Sequence, residues 1–328
     1  MKVLIVVCHR LDLWNTPRWF VERLRKEFSN LEIVSLPSYE EIETELPDAE
    51  VLITFSVKPE QLAFAKRLRW IHSPAAAVHQ LMFPQIVDSD IRVTNAREVH
   101  GPVVAEHVLA LIFALAKKLH EAARFQQKHI WGQAPMWYSR PRPREIAGAT
   151  LGLIGLGSIG RHVAKHASAL GMRVIATREN PEKERPEGVE VVLAASELEQ
   201  LLRQSDYVVL SAPLTPATRG LINAERLAQM RPDACLINVG RGPLVDESAL
   251  EEALREKKIG GAALDVFEKE PLPADSPLWD LENLLITPHT AGITEKLWER
   301  HYALIAENLR RYLAEQPLLA VVDKSKGY

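Results

Sequence analysis

Residues 150–160 read Thr-Leu-Gly-Leu-Ile-Gly-Leu-Gly-Ser-Ile-Gly, TLGLIGLGSIG. The apolar run Leu151–Ile154 has the length and bulk of a buried strand, and it leads into Gly155-x-Gly157-x-x-Gly160. An amphipathic segment, Arg161–Leu170, follows, with Gly171 placed to end it as a helix C-cap. In a strand, glycine turn and helix, the three glycines serve a tight turn, close backbone approach to a pyrophosphate, and close helix packing in that order. The helix N-terminus then offers unpaired N–H groups to phosphates. A lone GxGxxG is a weak signal. Here a second strand, Arg173–Thr177, closes the unit, so Gly155, Gly157, Ser158, Ile159 and Gly160 are candidate contacts of a dinucleotide. The competing reading is a tight turn that carries no ligand.

Working outward, 328 residues are enough for two domains, each with its own core. Apolar residues make up 47% and charged residues 25%, the balance of a water-soluble globular chain. The net charge of −3 is dispersed in sign, which points away from nucleic acid and membrane surfaces as partners. The longest apolar tract, Val103–Ala116, is interrupted by Glu106 and His107 and reads as a buried helix. Met1-Lys2-Val3 runs straight into a strand pattern, leaving no room for a signal peptide, so a cytoplasmic location is expected. Cys8 and Cys235 lie far apart in apolar surroundings and read as reduced, buried thiols. No metal site is expected.

Residues 1–98 alternate strands (Lys2–Val7, Leu31–Ser35, Val51–Phe55, Trp70–His72, Ile91–Asn95) with helices near Pro17–Phe28 and Lys58–Arg67. Alternation of this kind implies a parallel sheet. This half has no phosphate fingerprint and is expected to hold substrate. After Trp70–His72 comes Ser73-Pro74-Ala75-Ala76-Ala77, where small side chains let backbone N–H groups approach an anion. A plain turn explains the same residues equally well.

Val99–Leu119 reads as one long buried helix with Pro102 near its start, carrying His100, His107 and, just past its end, His120 as structural residues. Between 125 and 148 the prolines argue against regular structure, and Trp131, Trp137 and Tyr138 stand out there. From Leu151 the alternation resumes, with strands at 151–155, 173–177, 189–193, 207–211, 234–239, 261–265 and 284–287. Ser196-x-x-Glu199 reads as a capping box, and Thr294 as the cap of a last helix, Glu295–Leu313, able to pack back on the first domain.

In open parallel sheets ligands bind beyond the carboxyl ends of strands. In the second half those positions hold the glycine turn, then Thr177-Arg178, then Ala212-Pro213 with Thr218, then Val239-Gly240-Arg241, then Asp265 and Glu270, and lastly His289 with Ala291 and Gly292. The polar and ionisable residues thus gather along one edge. His289, Glu270 and Arg241 form a coherent set. Hydride transfer to a carbonyl also needs a proton for the oxygen, and histidine is the natural donor near neutral pH. A neighbouring carboxylate favours the imidazolium and fixes the ring. An arginine can hold a carboxylate through two N–H bonds. Taken singly, each has a bland reading, as a loop charge or a cap.

The chain resembles the D-isomer-specific 2-hydroxyacid dehydrogenase family, which includes glyoxylate/hydroxypyruvate reductases and phosphoglycerate dehydrogenases. The resemblance rests on GLGSIG (155–160), APLTPAT (212–218), INVGRGPLVDESAL (237–250), GAALDVFEKEPLP (261–273) and LLITPHTAG (284–292). In the first half it rests on SPAAAVHQL (73–81) and NAREVHGPVVAEHVLALIFAL (95–115), so it covers nearly the whole chain. It implies an α/β fold of two doubly wound parallel-sheet domains. A Rossmann dinucleotide-binding domain (99–292) would be inserted into a flavodoxin-like substrate domain (1–98 plus 293–328). The resemblance implies that Arg241 binds the 2-oxo acid, Glu270 supports the histidine and His289 is the acid/base. It also implies that Asp265 bonds the nicotinamide carboxamide, and that N–H groups near Ala76 and Ala77 hold the substrate carboxylate. A homodimer held by the region 100–119 is implied as well, with cofactor and substrate meeting between the domains.

Two departures stand out. Ala77 occupies a position where the family usually has glycine, which narrows the pocket. The end of the second strand of the dinucleotide unit reads Thr177-Arg178, with no acid until Glu179. NAD-specific sites carry an acid there, whereas arginine suits a 2′-phosphate, so NADP is favoured over NAD. The alternative is that Arg178 stacks on adenine and NAD is used. The rival functions are a nicotinamide-sensing, corepressor-like binding module and a formate- or phosphite-type dehydrogenase on the same fold.

Overall fold

In a computed structural model, which describes residues 1–327, the apolar runs form two separate sheets, and every pairing within them is parallel. The chain divides into two units. One is Met1–His100 together with the stretch from Thr294; the other is Gly101–Ile293.

The first unit is built on β1 (Lys2–Val6), β2 (Glu32–Ser35), β3 (Ala49–Thr54), β4 (Trp70–Ser73) and β5 (Arg92–Asn95), in the order β2-β1-β3-β4-β5. This is the flavodoxin-like order. Alternate side chains of one strand point to opposite faces. Val3 and Ile5 of β1 therefore pack with Phe20 and Leu24 of α1 (Arg18–Glu27), while Leu4 and Val6 pack with Ile42, Leu46 and Ile86. Both faces are covered, as an all-parallel sheet requires. The last helix of the chain, Leu297–Leu313, sends Trp298, Tyr302, Ile305 and Leu309 into the same core as Phe20. Each such fully buried side chain contributes about 1.5–3 kcal/mol.

The second unit contains β6 (Thr150–Ile154), β7 (Arg173–Arg178), β8 (Val191–Ala194), β9 (Tyr207–Leu210), β10 (Cys235–Asn238), β11 (Gly261–Leu264) and β12 (Leu284–Ile286). Their order is β12-β11-β10-β9-β6-β7-β8. The chain reverses its direction of winding between β6 and β9, and the carboxyl ends of those two strands form the crevice where such sheets take ligands. The unit's helices are α2 (Arg97–Ala116, which begins in the first unit), α3 (Leu119–Gln127), α4 (Gln133–Tyr138), α5 (Ser158–Ala169), α6 (Leu198–Gln204), α7 (Ala224–Gln229) and α8 (Glu247–Arg255). The terminal helix Leu297–Leu313 is α9. Helix α5 ends as expected: Gly171 has φ +80°, its N–H bonds the Ser168 carbonyl, and Met172 N–H bonds the Ala167 carbonyl.

Several local expectations need correction. The helix expected over Lys58–Arg67 is the single turn Pro59–Leu62, because the next amides bond three residues back (Phe64 to Gln61, Ala65 to Leu62) and tighten the chain into turns. The helix expected over Val99–Leu119 begins at Arg97 and stops at Ala116; Lys118, at φ +55°, separates it from α3, where His120 lies. A short helix, α4, does form in the proline-containing segment. Pro135 is its third residue, and in the first turn a missing N–H costs nothing. The cap before α6 is not Ser196. Glu197 reaches back to the Ala194 N–H at 2.8 Å, and Glu199 pairs with Arg203 instead. Thr294 makes a tight turn, accepting the Lys296 N–H at 3.3 Å, and does not cap α9. Cys8 and Cys235 are free thiols, Cys235 buried and Cys8 partly so; burial pushes the Cys235 thiol up to about 11.

Candidate active site

The glycine turn separates structural from ligand-facing positions. Gly155 has φ +98°, and a Cβ on it would stand 2.7 Å from the Ala212 nitrogen. A Cβ on Gly160 would stand 2.3 Å from the Gly155 carbonyl oxygen. These two glycines bring β6, β9 and α5 together. Gly157, the residue before α5, has nothing within 4 Å of where a Cβ would be. Open space therefore lies in front of the N-terminus of a 12-residue helix, and these residues fit a pyrophosphate there. Ser158 is buried in the first turn, and Ile159 packs against the core.

The next strand ends set the walls of the crevice. After β9, Thr218 donates to the Pro213 carbonyl at 2.7 Å and accepts the Thr215 N–H at 2.8 Å, which folds the Ala212–Thr218 loop onto itself. At the end of β7, Thr177 is buried, and its carbonyl accepts the Gly155 N–H at 3.1 Å. Arg178 turns its guanidinium into its own loop. It donates to the carbonyls of Glu184 (3.1 Å), Pro181 (3.2 Å) and Lys183, and its Nε is buried with no partner among the described residues. In this structure Arg178 shapes the 178–184 loop, a role the sequence did not signal.

Arg241 follows β10. Its placement depends on Asn238, which is wholly buried, accepts the Gly240 N–H at 3.0 Å and donates to the Arg241 carbonyl at 2.9 Å. Gly242 then passes so close to the next strand's loop that a Cβ would lie 1.9 Å from the Phe267 carbonyl carbon. Glu247, in the first turn of α8, accepts the Glu268 N–H at 2.5 Å. The turn bearing Arg241 and the loop bearing Glu270 are thus held together by a close backbone approach and a side-chain-to-backbone hydrogen bond. The Arg241 guanidinium spends one N–H on the Gly240 carbonyl, at 2.6 Å, and forms no ion pair within 4.0 Å among the described residues. Burial lowers its pKa, and the Glu270 charge partly opposes that.

Glu270 accepts the Phe267 N–H at 3.0 Å with one carboxylate oxygen and meets His289 Nδ1 at 2.6 Å with the other. The His289 imidazole is held up in pKa by that hydrogen bond, against the opposing effect of burial. Burial pushes the Glu270 carboxyl up, but His289, the Phe267 N–H and Arg241 outweigh it and leave the group lowered. The pair is therefore tuned toward imidazolium and carboxylate. His289 itself is exposed and stands at φ +53°, in the left-handed region. Its backbone N–H donates to the Asp265 carbonyl at 2.9 Å. Val239 is buried beneath Gly240, and Ala291 is buried beside the exposed His289, ahead of Gly292.

Asp265, 1% exposed, is hydrogen-bonded on both carboxylate oxygens. It accepts from Thr287 Oγ1 (2.6 Å), the Thr290 N–H (2.8 Å) and the Ala291 N–H (3.0 Å). His107, read from sequence as a structural histidine, reaches this group from α2 by bonding Thr287 Oγ1 at 3.1 Å. No sequence pattern could have found it, because its partner is 180 residues away.

In the first unit, the loop after β4 is shaped by Ser73, which accepts the Ala75 N–H at 3.2 Å, and by buried Asn95, whose amide donates to the Ala76 carbonyl at 2.7 Å. The N–H groups of Ala76 and Ala77 donate to no acceptor among the described residues.

Proteins of known family resemble this chain in sequence and fold. A family model described as "D-isomer specific 2-hydroxyacid dehydrogenase, NAD binding domain" matches residues 109–291. A glyoxylate reductase of Korarchaeum cryptofilum is 37% identical over 281 residues, covering 83% of this chain and 82% of that protein. A D-3-phosphoglycerate dehydrogenase of Methanocaldococcus jannaschii is 34% identical over 89% of this chain, and the chain spans only 55% of its length. Among solved structures, a D-isomer specific 2-hydroxyacid dehydrogenase family protein from Aeromonas salmonicida is 32% identical, covers 98% of this chain with 99% of its own, and gives a TM-score of 0.82. An NADPH-dependent glyoxylate/hydroxypyruvate reductase from Sinorhizobium meliloti, in complex with NADP and sulfate, is 27% identical with a TM-score of 0.83 over the full length of both chains. With a Rossmann strand order, a glycine cradle before α5 and a family model across more than half of its length, the chain belongs to the D-isomer specific 2-hydroxyacid dehydrogenase family.

Proposed function

We propose that the protein is an NAD(P)-dependent reductase of small 2-oxo acids that forms the D-2-hydroxy acid. The observation that carries this reading is the 2.6 Å His289–Glu270 pair, tuned toward the imidazolium. The dinucleotide, when bound, supplies a hydride for the carbonyl carbon. Everything else falls to side chains and backbone. His289 Nδ1 is held by Glu270, so Nε2 gives the proton to the carbonyl oxygen, and the imidazole leaves the step neutral. The Arg241 fork, unpaired with any carboxylate within 4.0 Å among the described residues, holds the substrate carboxylate bidentately and polarises the carbonyl. The N–H groups of Ala76 and Ala77 are assigned to the same carboxylate.

Gly155, Gly157, Ser158, Ile159 and Gly160 are assigned to the pyrophosphate, with Ala212, Pro213, Thr218, Val239, Gly240, Ala291 and Gly292 lining the rest of the dinucleotide. Asp265 is assigned to its carboxamide. NADP is favoured over NAD because no acid ends β7 and Arg178 stands there with Thr177. Binding a 2′-phosphate would exchange one or more of Arg178's loop carbonyls for phosphate oxygens. The protein is further proposed to be a cytoplasmic homodimer, joined through α2 and the exposed aromatic stretch that follows it.

The test is the loss of nicotinamide absorbance with glyoxylate, hydroxypyruvate, pyruvate and bulkier 2-oxo acids, using NADPH and NADH in parallel. Formate and phosphite are run with the oxidised cofactors. Turnover of a 2-oxo acid with NADPH preferred is the expected result. Preference for NADH removes the role given to Arg178. Turnover of formate or phosphite alone, or binding of cofactor with no turnover of any compound, removes the reductase reading.

A further inference from the structure

The loop carrying His289 is wrapped around a single carboxylate. Asp265 Oδ1 takes the Thr287 hydroxyl at 2.6 Å and the Thr290 N–H at 2.8 Å. Its Oδ2 takes the Ala291 N–H at 3.0 Å, and its backbone carbonyl takes the His289 N–H at 2.9 Å. Four donors from residues 287–291 thus converge on Asp265.

Proton counting then assigns the state of His107. The Thr287 hydroxyl has one hydrogen, and it is given to Asp265. The 3.1 Å contact between Thr287 Oγ1 and His107 Nε2 can be a hydrogen bond only if the imidazole donates, so Nε2 carries a proton. The result is a chain running from His107 Nε2–H to the Thr287 hydroxyl to the Asp265 carboxylate, with Nε2 itself 3.6 Å from Oδ1. Burial lowers the His107 pKa, and the Asp265 charge partly restores it; in either protonation state Nε2 is the donor to Thr287.

A helix histidine often does no more than satisfy the nearest hydroxyl. Here the chain ends on the carboxylate whose other donors flank His289, and His289 is a non-glycine residue at φ +53°, a conformation that persists only when its surroundings impose it. We infer that His107 is a positioning residue. Through Thr287 it pins Asp265 in the orientation that holds residues 287–291, and so it aims His289. The inference deepens the reading of this site as a nicotinamide-dependent one and rests on it only for the catalytic consequence.

The full-length protein and two variants test it. His107→Leu removes the donor; His107→Gln keeps an N–H donor of similar reach. Amide hydrogen exchange of the segment 287–291 should be about tenfold faster in His107→Leu, the effect of one lost hydrogen bond in a charged network, and close to wild type in His107→Gln. For an active enzyme, kcat should follow the same order, with the substrate KM unchanged. Wild-type exchange in His107→Leu overturns the inference, as does equal loss of protection in both variants. If no 2-oxo acid is reduced but exchange behaves as expected, the catalytic reading of the site fails and the positioning role stands.

Discussion

His289 meets Glu270 at 2.6 Å, and its pKa is raised by that bond, so the pair sets a pH dependence whose sign follows directly. Reduction needs the imidazolium. Its kcat/KM is therefore highest below the raised pKa and falls as pH rises through it, while hydroxy-acid oxidation needs the neutral ring and shows the opposite limb. Any stability the pair contributes is lost as pH rises through the raised folded-state value of His289, and lost again as pH falls through the lowered folded-state value of Glu270. Replacing Glu270 by Gln removes the charge and should move the descending limb of the reduction profile to lower pH by about one unit or more. A limb that stays in place would mean that Glu270 does not tune His289. His289→Ala should lower kcat by about 10²- to 10⁴-fold with nucleotide binding, followed by fluorescence, intact. Arg241 offers a different signature. Arg241→Lys keeps the charge and loses the fork, so kcat/KM for the 2-oxo acid should fall about ten- to a hundredfold with nucleotide affinity unchanged. A specificity constant equal to wild type would remove Arg241 from substrate binding.

Between elements, what holds the site together is backbone contact that sequence patterns do not encode. Gly242 has no room for a methyl group: a Cβ would lie 1.9 Å from the Phe267 carbonyl carbon and 2.0 Å from its oxygen, and no side-chain rotation relieves a clash with backbone. Gly242→Ala should therefore push the Phe267–Glu270 segment away and carry Glu270 off His289, lowering kcat by about 10²-fold, the cost of an ångström-scale misplacement. Nucleotide affinity should fall less than kcat, because the residues proposed for the pyrophosphate, Gly155–Gly160, lie away from the clash. If kcat is unaffected, the lock between the two loops does not position the pair. The same contrast decides what could be read in advance. The Gly155-x-Gly157-x-x-Gly160 turn was legible because its spacing lies within one turn, although Gly155 also sets the approach to Ala212, and the strands were legible because buried parallel strands are short apolar runs between turn residues. Arg241, Glu270 and His289 were legible as residue types at strand ends, and the structure brings Glu270 and His289 into contact. Gly242, Glu247 and His107 were not, because each acts on a partner brought near only by folding. Short helices misled for a related reason. One turn is decided by individual hydrogen bonds, such as Glu197 to Ala194 or Phe64 to Gln61, and not by periodicity.

At the scale of the molecule, a feature that neither core explains is apolar surface in the second unit. Leu119 (54% exposed), Ile130 (49%), Trp131 (87%), Trp137 (54%) and Tyr138 (72%) lie within twenty residues of one another, on α3, α4 and the link between them. Single exposed apolar residues are ordinary, but several large ones in one stretch mark a surface that is covered in use. Arg142 stacks over Trp137 at 4.3 Å, which fits an interface whose aromatic anchors are rimmed by charge. Helix α2 leads directly into this stretch, but its apolar residues are mostly buried in the second unit's own core, so the stretch itself is the candidate surface for a second copy of the chain. A stable pair needs about 800 Å² buried on each partner, which aromatic side chains of about 150–250 Å² supply in small number. Light scattering after gel filtration should therefore give twice the 36.9 kDa chain mass. The double variant Trp131→Glu with Tyr138→Glu should shift that mass toward the single chain and make it depend on concentration, because two charges would be buried without partners. Both positions are exposed in the single chain, so its melting behaviour should change little apart from what pairing contributes. A wild-type protein that runs as a single chain at micromolar concentration would rule out the pairing. A double variant that stays paired would move the interface away from this stretch.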